Sequence, residues 1–265
     1  MKIKNDFKKC LLKFFAVFLL LGSFFNNVYS TNEVIEDEKQ VTILGVPFAV
    51  CYEEKIFGDK FFGGTFTFFD EETKQFASLA HSASDSAGNY MDLANKKVLE
   101  AEVKGVKRTS DGKLNLGYLV FKISYKFPNP LNPFKKNYSV MGEVLKNNDC
   151  GVYGRLNKKS NEKFKSFSKM SIANREEVEI GDAQLLTTLE GKTPKKIKVK
   201  ILGFDKNNEH GIHFESEDEI LQGQSGSPIV QNKKIVGAIC SNTIDKRPKE
   251  GFATFADVMY EEMLK

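Results

Sequence analysis

One serine of this chain stands in a setting that suits nucleophilic catalysis. The stretch from Leu221 to Val230 reads LQGQSGSPIV, with Ser225 between Gly223 and Gly226 and with Pro228 before an apolar run. A serine hydroxyl is a weak nucleophile, and it needs a base for its proton and N–H donors for the oxyanion. Glycine permits a sharp bend, so the N–H groups of Gly223 and Ser225 could converge on one point. The same composition also suits an ordinary turn that enters a hairpin.

Three histidines could supply the base. His81 lies in FASLAHSASD, where small alanine and serine neighbours leave space around an imidazole. His213 and, less favoured, His210 lie in NNEHGIHF, a polar turn that leads into a strand. A lone histidine is more often structural than catalytic. The sequence therefore favours His81 as the base and leaves His213 and His210 open.

A carboxylate is needed to orient the imidazole and to stabilise its protonated form. Asp218, in ESEDEILQGQSG, and Asp85, four residues after His81, are the leading candidates. Two further candidates are Asp182 and Asp205. Residues 215–219 also read as an acidic, solvated run, so spacing alone does not settle which aspartate acts.

Short apolar runs from Thr42 onward predict a β-rich domain. The clearest are VTILGVPFAVCY, GGTFTFFD, VKGVKR, LNLGYLVFKISY, KKIKVKILGFD and KKIVGAICS. They are rich in β-branched or aromatic residues, and several alternate apolar with polar positions, as half-buried strands do. Such a succession of short strands is typical of an antiparallel sandwich or barrel.

The sequence also predicts one hairpin, two helices and one irregular loop. PIVQNKKIVGAI predicts a hairpin that turns at residues 232–234. Helix is favoured weakly over residues 171–179 and more clearly over residues 257–265, where Val258, Met259, Met263 and Leu264 are expected on one face. Residues 129–136 follow one proline and contain two more, so an irregular loop is expected there.

The N-terminus has the pattern of an export signal. Five lysines precede an apolar run over residues 14–25, which fits a signal core and is short for a membrane-spanning helix. We predict a cleaved signal or membrane anchor over residues 1–30, an acidic linker over residues 31–41 and one domain over residues 42–265. Residues 1–30 carry the whole net charge of +4. Nucleic acid is therefore not an expected partner.

The cysteine pattern indicates neither a metal site nor a dense disulfide framework. Outside the signal, Cys51, Cys150 and Cys240 form no CxxC pair. Three buried thiols are the favoured interpretation, and one disulfide with one free thiol is the alternative. No metal and no other cofactor is predicted.

Three segments together resemble one peptidase family. GGTFTFFDEETKQFASLAHSASD, ILQGQSGSPIVQNKKIVGAI and GFATFADVM are similar to the stage IV sporulation protein B (SpoIVB) serine peptidases, over most of residues 60–265. The resemblance implies an exported serine endopeptidase with a mostly β, chymotrypsin-like double β-barrel and a C-terminal helix. The family's PDZ domain has no counterpart in this sequence, and Ala80 replaces the glycine usual before the histidine.

The resemblance also assigns roles by matching motif. His81 is implied as the general base and Ser225 as the nucleophile, with the N–H groups of Gly223 and Ser225 as the oxyanion hole. GIHFESED, ending at Asp218, aligns with the family's G-x-x-x-K-x-T-D and implies Asp218 as the orienting acid. The loop from Asp218 to Ser225 is shorter than in the family.

A biological setting follows from the resemblance as well. It implies action in the intermembrane space around the forespore on a membrane-associated regulator, which releases an intramembrane protease that processes a sigma-factor precursor. The expected partner is thus a protein substrate, with membrane association through residues 14–25. A non-catalytic binding protein on the same scaffold is the alternative, and the presence of His81, Ser225 and a placed carboxylate favours the peptidase.

Overall fold

The computed structural model of the protein describes residues 39–55, 59–108, 117–125, 137–242 and 248–265. The predicted signal and the proline-rich loop over residues 129–136 lie outside these ranges. Within them, every residue belongs to one unit, Lys39–Lys265. The first strand, β1 (Gln40–Ile43), begins inside the segment predicted as a linker.

Six antiparallel strands from the first half of the chain close into a barrel. They are β2 (Pro47–Glu53), β3 (Lys60–Phe69), β4 (Gln75–Ser78), β5 (Lys97–Arg108), β7 (Val140–Asn148) and β8 (Gly151–Leu156). The pairing order β2–β3–β4–β8–β7–β5 returns to β2, so the sheet closes on itself. Stacked and edge-on phenylalanines, among them Phe48, Phe66 and Phe76, occupy its core. The strand β6 (Gly117–Ile123) extends β5 outside the ring.

A second six-stranded barrel follows. It consists of β10 (Gly181–Thr187), β11 (Lys195–Phe204), β12 (Ile212–Ser216), β13 (Pro228–Gln231), β14 (Lys234–Asn242) and β15 (Glu250–Phe255). The order β10–β11–β12–β15–β14–β13 returns to β10. The alternation along β11 sets its register, because Ile197, Val199 and Ile201 are buried while the lysines between them are exposed.

The strands β1 and β9 (Lys169–Ile172) lie between the barrels. β1 pairs with β3 and β9, and β9 pairs in parallel with β14. A shared apolar cluster joins residues of both halves, including Phe68, Ala238 and Met259. Met259 belongs to the C-terminal helix α2 (Ala256–Leu264), and a shorter helix, α1 (Lys158–Phe164), follows β8. In the described ranges, neither helix has the length or apolarity that crossing a membrane requires.

The structure confirms the predicted mostly β double barrel with a C-terminal helix. The weak helix prediction over residues 171–179 is wrong. Ser171 and Ile172 belong to β9, whose pairing with β1 and β14 outweighs local preference, and only Arg175–Glu177 forms a 3-10 turn. On α2, Val258, Met259 and Met263 are buried, whereas Leu264 is exposed. Cys51, Cys150 and Cys240 are buried and form no disulfide bond among the described residues.

Candidate active site

The loop that carries Ser225 packs against the first barrel. It connects β12 to β13, and Ser225 itself is half-buried. Gly226 has φ +90°. A Cβ atom at Gly226 would lie 2.1 Å from the Thr65 carbonyl oxygen and 2.4 Å from the Leu79 nitrogen. The position therefore requires glycine, and the close approach joins the serine loop to the strand end that leads to His81.

Two threonines of β3 hold the serine loop by its carbonyl groups. The N–H of Thr65 donates to the Ser225 carbonyl at 3.0 Å, and its hydroxyl donates to the Gly223 carbonyl at 3.1 Å. The buried hydroxyl of Thr67 donates to the Gly226 carbonyl at 2.7 Å. Three carbonyls of one barrel are thus fixed by a strand of the other.

The N–H groups of the serine loop divide into engaged and unengaged donors. Those of Gln222, Gln224, Gly226 and Ser227 donate to the carbonyls of Gly117, Leu221, Ile239 and Gln224. Those of Gly223 and Ser225 have no acceptor among the described residues. The two donors left free are the two predicted for the oxyanion hole.

The direction of these free donors is set by the peptides that carry them. The Gln222 carbonyl accepts from the Leu119 N–H at 2.9 Å, and the Gln224 carbonyl accepts from the Ser227 N–H at 2.8 Å. Both peptides are trans, and in a trans peptide the N–H points opposite to the carbonyl. Each free N–H therefore points away from the donor that holds its carbonyl.

A buried polar cluster behind the loop fixes its shape. The Gln224 side-chain oxygen accepts from the Leu221 N–H at 2.6 Å. The Ser227 hydroxyl donates to the Thr187 hydroxyl oxygen at 2.8 Å, and both residues are fully buried. Because buried polar groups without partners are costly, these bonds favour one loop conformation.

A strained turn precedes the predicted base. Leu79 and Ala80 have φ +64° and +60°. The Ala80 N–H bonds the Ser78 carbonyl at 2.8 Å, which closes a three-residue turn around Leu79. Such left-handed angles cost a non-glycine residue roughly 1–2 kcal/mol. The glycine that the resemblance placed at position 80 suits this conformation, and Ala80 adopts it nonetheless.

The imidazole of His81 has a defined tautomer. Its Nδ1 lies 2.7 Å from the Ser82 carbonyl oxygen. Because a carbonyl only accepts, Nδ1 carries the proton and Nε2 keeps a lone pair in the neutral ring. Burial lowers the pKa of His81, the Ser82 carbonyl opposes this shift, and electrostatic interaction with His210 lowers the pKa further. The ring is therefore neutral and able to accept a proton at neutral pH.

The structure brings the His81 and Ser225 segments together without bonding the two side chains. Among the described residues, neither Nε2 of His81 nor the Ser225 hydroxyl has a hydrogen-bond partner. Catalytic hydrogen bonds often tighten only when substrate binds. The pairing of His81 with Ser225 stays a prediction, with both reacting atoms unengaged.

Neither predicted acid is hydrogen-bonded to His81. Asp218 is exposed in the turn after β12, where its N–H donates to the Ser216 hydroxyl at 3.3 Å. The exposed Asp85 carboxylate accepts N–H groups of its own loop, from residues 87 and 89, both at 2.9 Å. Over the described ranges no carboxylate lies within hydrogen-bonding distance of His81, and the Ser82 carbonyl occupies that place. The role of Asp218 therefore stays a prediction.

The rival histidines have other partners. Nε2 of His213 lies 3.0 Å from a Glu250 carboxylate oxygen, and the ring stacks on Phe252. Nδ1 of His210 lies 2.7 Å from the Thr254 hydroxyl. The remaining candidate aspartates are Asp182, which lies in β10, and Asp205, whose side chain accepts an N–H of its own turn.

Sequence reasoning missed the threonines that hold the site. Thr65, Thr67 and Thr254 lie in strands, where threonine is common, and no local pattern separates them from their neighbours. Their partners are distant in the sequence, so only the folded chain shows these contacts.

Two closed six-stranded barrels, with the Ser225 loop of the second set against the His81 turn of the first, define a chymotrypsin-like serine peptidase fold. The SpoIVB peptidase S55 family model matches residues 57–260. The chain belongs to this family of serine peptidases, as the sequence motifs predicted.

Two solved structures are similar to most of the chain. The active form of the Rv3671c protease from M. tuberculosis is 14% identical, with 84% of this chain and 81% of that chain covered and a TM-score of 0.45. Human heparin binding protein is 11% identical, with 83% and 90% covered and a TM-score of 0.42. No curated protein matches the sequence at a significant level.

Proposed function

We propose that the protein is an exported serine endopeptidase. In this mechanism Nε2 of His81 takes the Ser225 proton, and the Ser225 oxygen attacks a substrate carbonyl. The free N–H groups of Gly223 and Ser225 bind the oxyanion. His81 then protonates the leaving amine, and water releases the acyl group by the reverse sequence. The observation that supports this most is the pair of N–H groups on either side of Gln224 that have no acceptor in the described part of the chain.

For the third position we propose Asp218, on the strength of the family motif. Its exposed carboxylate would have to replace the Ser82 carbonyl as the acceptor of the His81 Nδ1 proton when substrate is bound. An aspartate there would stabilise the imidazolium that forms as Ser225 loses its proton. A carbonyl orients the ring but supplies no full negative charge.

The proposed substrate is a membrane-associated regulator of sporulation. Membership of the SpoIVB peptidase family supports this setting. We place the enzyme in the intermembrane space around the forespore, exported by residues 1–30. Cleavage there would activate an intramembrane protease and, through it, the processing of a sigma factor.

Peptide cleavage by the purified full chain tests the proposal. A complex peptide mixture is incubated with the wild type, with Ser225→Ala and with Ser86→Ala, and new termini are identified by mass spectrometry. Ser86 is an exposed serine and serves as the matched control. Cleavage by the wild type and Ser86→Ala alone is expected. Equal cleavage by Ser225→Ala would contradict the mechanism, and no cleavage by any folded variant would favour the non-catalytic binding protein.

A further inference from the structure

The carbonyl of Ala80, directly before His81, is held by a side chain of the second barrel. The hydroxyl of Thr254, on β15, lies 2.6 Å from the Ala80 carbonyl oxygen, and Thr254 is fully buried. Nδ1 of His210 lies 2.7 Å from the same hydroxyl. Since a carbonyl only accepts, the single hydroxyl proton points at Ala80. The hydroxyl therefore accepts the Nδ1 proton of His210.

This contact acts on the peptide plane that leads into His81. The Ala80 carbonyl belongs to the Ala80–His81 peptide, so the bond from Thr254 fixes how that plane is turned. The plane in turn sets the direction of the bond from the His81 backbone to its imidazole. Leu79 and Ala80 are both left-handed, and such backbone strain persists only where the surrounding structure holds it.

We propose that Thr254 is a positioning residue for the base His81 and that His210 orients its hydroxyl. The proposal rests on the proposed function, in which His81 accepts the Ser225 proton. Thr254 acts through the backbone of His81, and its loss turns the imidazole away from the position that serves Ser225.

The chain offers a matched control for this bond. The buried hydroxyl of Thr188 donates to the Gly45 carbonyl at 2.9 Å. Gly45 is also left-handed, with φ +71°. The substitution Thr188→Val therefore removes a buried bond of the same chemistry that does not involve the peptide before His81.

Nitrogen NMR of the histidine rings tests the positioning directly. The full chain contains three histidines, so single His→Gln substitutions assign every ring signal. In the wild type, the His81 signals are expected to show one tautomer with the proton on Nδ1. Thr254→Val should replace that single tautomer by a mixture, whereas Thr254→Ser and Thr188→Val should retain it.

The rate of peptide cleavage provides the second readout. Thr254→Val should lower kcat/KM roughly 10- to 100-fold, because small misplacements of a catalytic group have effects of that size. Thr254→Ser should restore most of the rate, and Thr188→Val should retain it. His210→Ala should shift both readouts in the same direction as Thr254→Val, by less.

The outcomes separate this inference from the proposed function. A Thr254→Val protein with unchanged His81 signals would overturn the inference, as would a Thr188→Val protein that loses the His81 tautomer equally. If Thr254→Val does not fold, the His210→Ala variant tests the inference instead. Unchanged His81 signals in His210→Ala would then overturn it. A wild type that cleaves nothing refutes the proposed function, while the NMR comparison still decides the role of Thr254.

Discussion

The contact between Gly226 and the first barrel can be tested by adding one methyl group. In Gly226→Ala, the new Cβ would stand 2.1 Å from the Thr65 carbonyl oxygen and 2.4 Å from the Leu79 nitrogen. Both obstacles are backbone atoms, which cannot rotate away as a side chain does. Gly88→Ala is the matched control, because Gly88 has φ +85° against +90° for Gly226, and no other described residue comes within 4 Å of its Cβ position.

The two substitutions share one cost and differ in another. A left-handed angle costs alanine roughly 1–2 kcal/mol, and both variants bear this cost. Overlap in a packed site adds roughly 1–3 kcal/mol, and only Gly226→Ala bears it. The free energy of unfolding should therefore fall by about 1–2 kcal/mol for Gly88→Ala and by about 2–5 kcal/mol for Gly226→Ala.

Equilibrium unfolding in urea measures this difference, with the slope on denaturant checked for constancy. Peptide cleavage should be retained in Gly88→Ala and lost in Gly226→Ala, because the serine loop is displaced from the His81 turn. Equal losses of unfolding free energy in the two variants would refute the close packing of the serine loop on Thr65 and Leu79.

Three further predictions concern the reacting groups. Ser225→Ala and His81→Ala should each lower kcat by roughly 10⁴-fold or more, and the double variant should be little worse, since the two act as a unit; additive losses would contradict their pairing. The acid limb of kcat/KM against pH should have its midpoint below the ordinary histidine pKa of 6.5, because burial lowers the pKa of His81. As pH falls, His81 is protonated in the unfolded chain before it is protonated in the folded chain. The stability that neutral His81 contributes is therefore present above pH 6.5 and is lost as pH falls toward the folded pKa. A kinetic midpoint above pH 6.5 would contradict burial as the main cause of the shift. Asp218→Asn should lower kcat far more than Asp85→Asn, by roughly 10⁴-fold if Asp218 is the acid, and the reverse order would move the role to Asp85.

The strands were predictable because their signals are local. The alternation of isoleucine and valine with lysine along β11 fixes which face is buried. The hairpin of β13 and β14 turns at Asn232 and Lys233, which have φ +49° and +64°, within the range predicted. The glycines Gly223 and Gly226 likewise predicted a bend around Ser225, and both have positive φ in the structure.

The features that the sequence did not predict depend on contacts between residues that are distant along the chain. No local signal shows that Ser171 pairs with both β1 and β14, so the helix expected there became a strand. Likewise, the partners of Thr67 and Thr254 lie 159 and 174 residues away along the chain. Asp218 was assigned as the acid from a sequence motif alone. A motif does not specify how far the carboxylate lies from the His81 imidazole.

Reaction with a fluorophosphonate tests the central claim most directly. Such a reagent bonds covalently to a serine whose hydroxyl is activated by a base and whose oxyanion site is formed. Peptide mass mapping of the labelled full chain should place the adduct on Ser225, and His81→Gln should abolish it while the protein remains folded. A folded wild type that takes up no label, or that carries it on another serine, would contradict the assembly of His81, Ser225 and the two free N–H groups into one site.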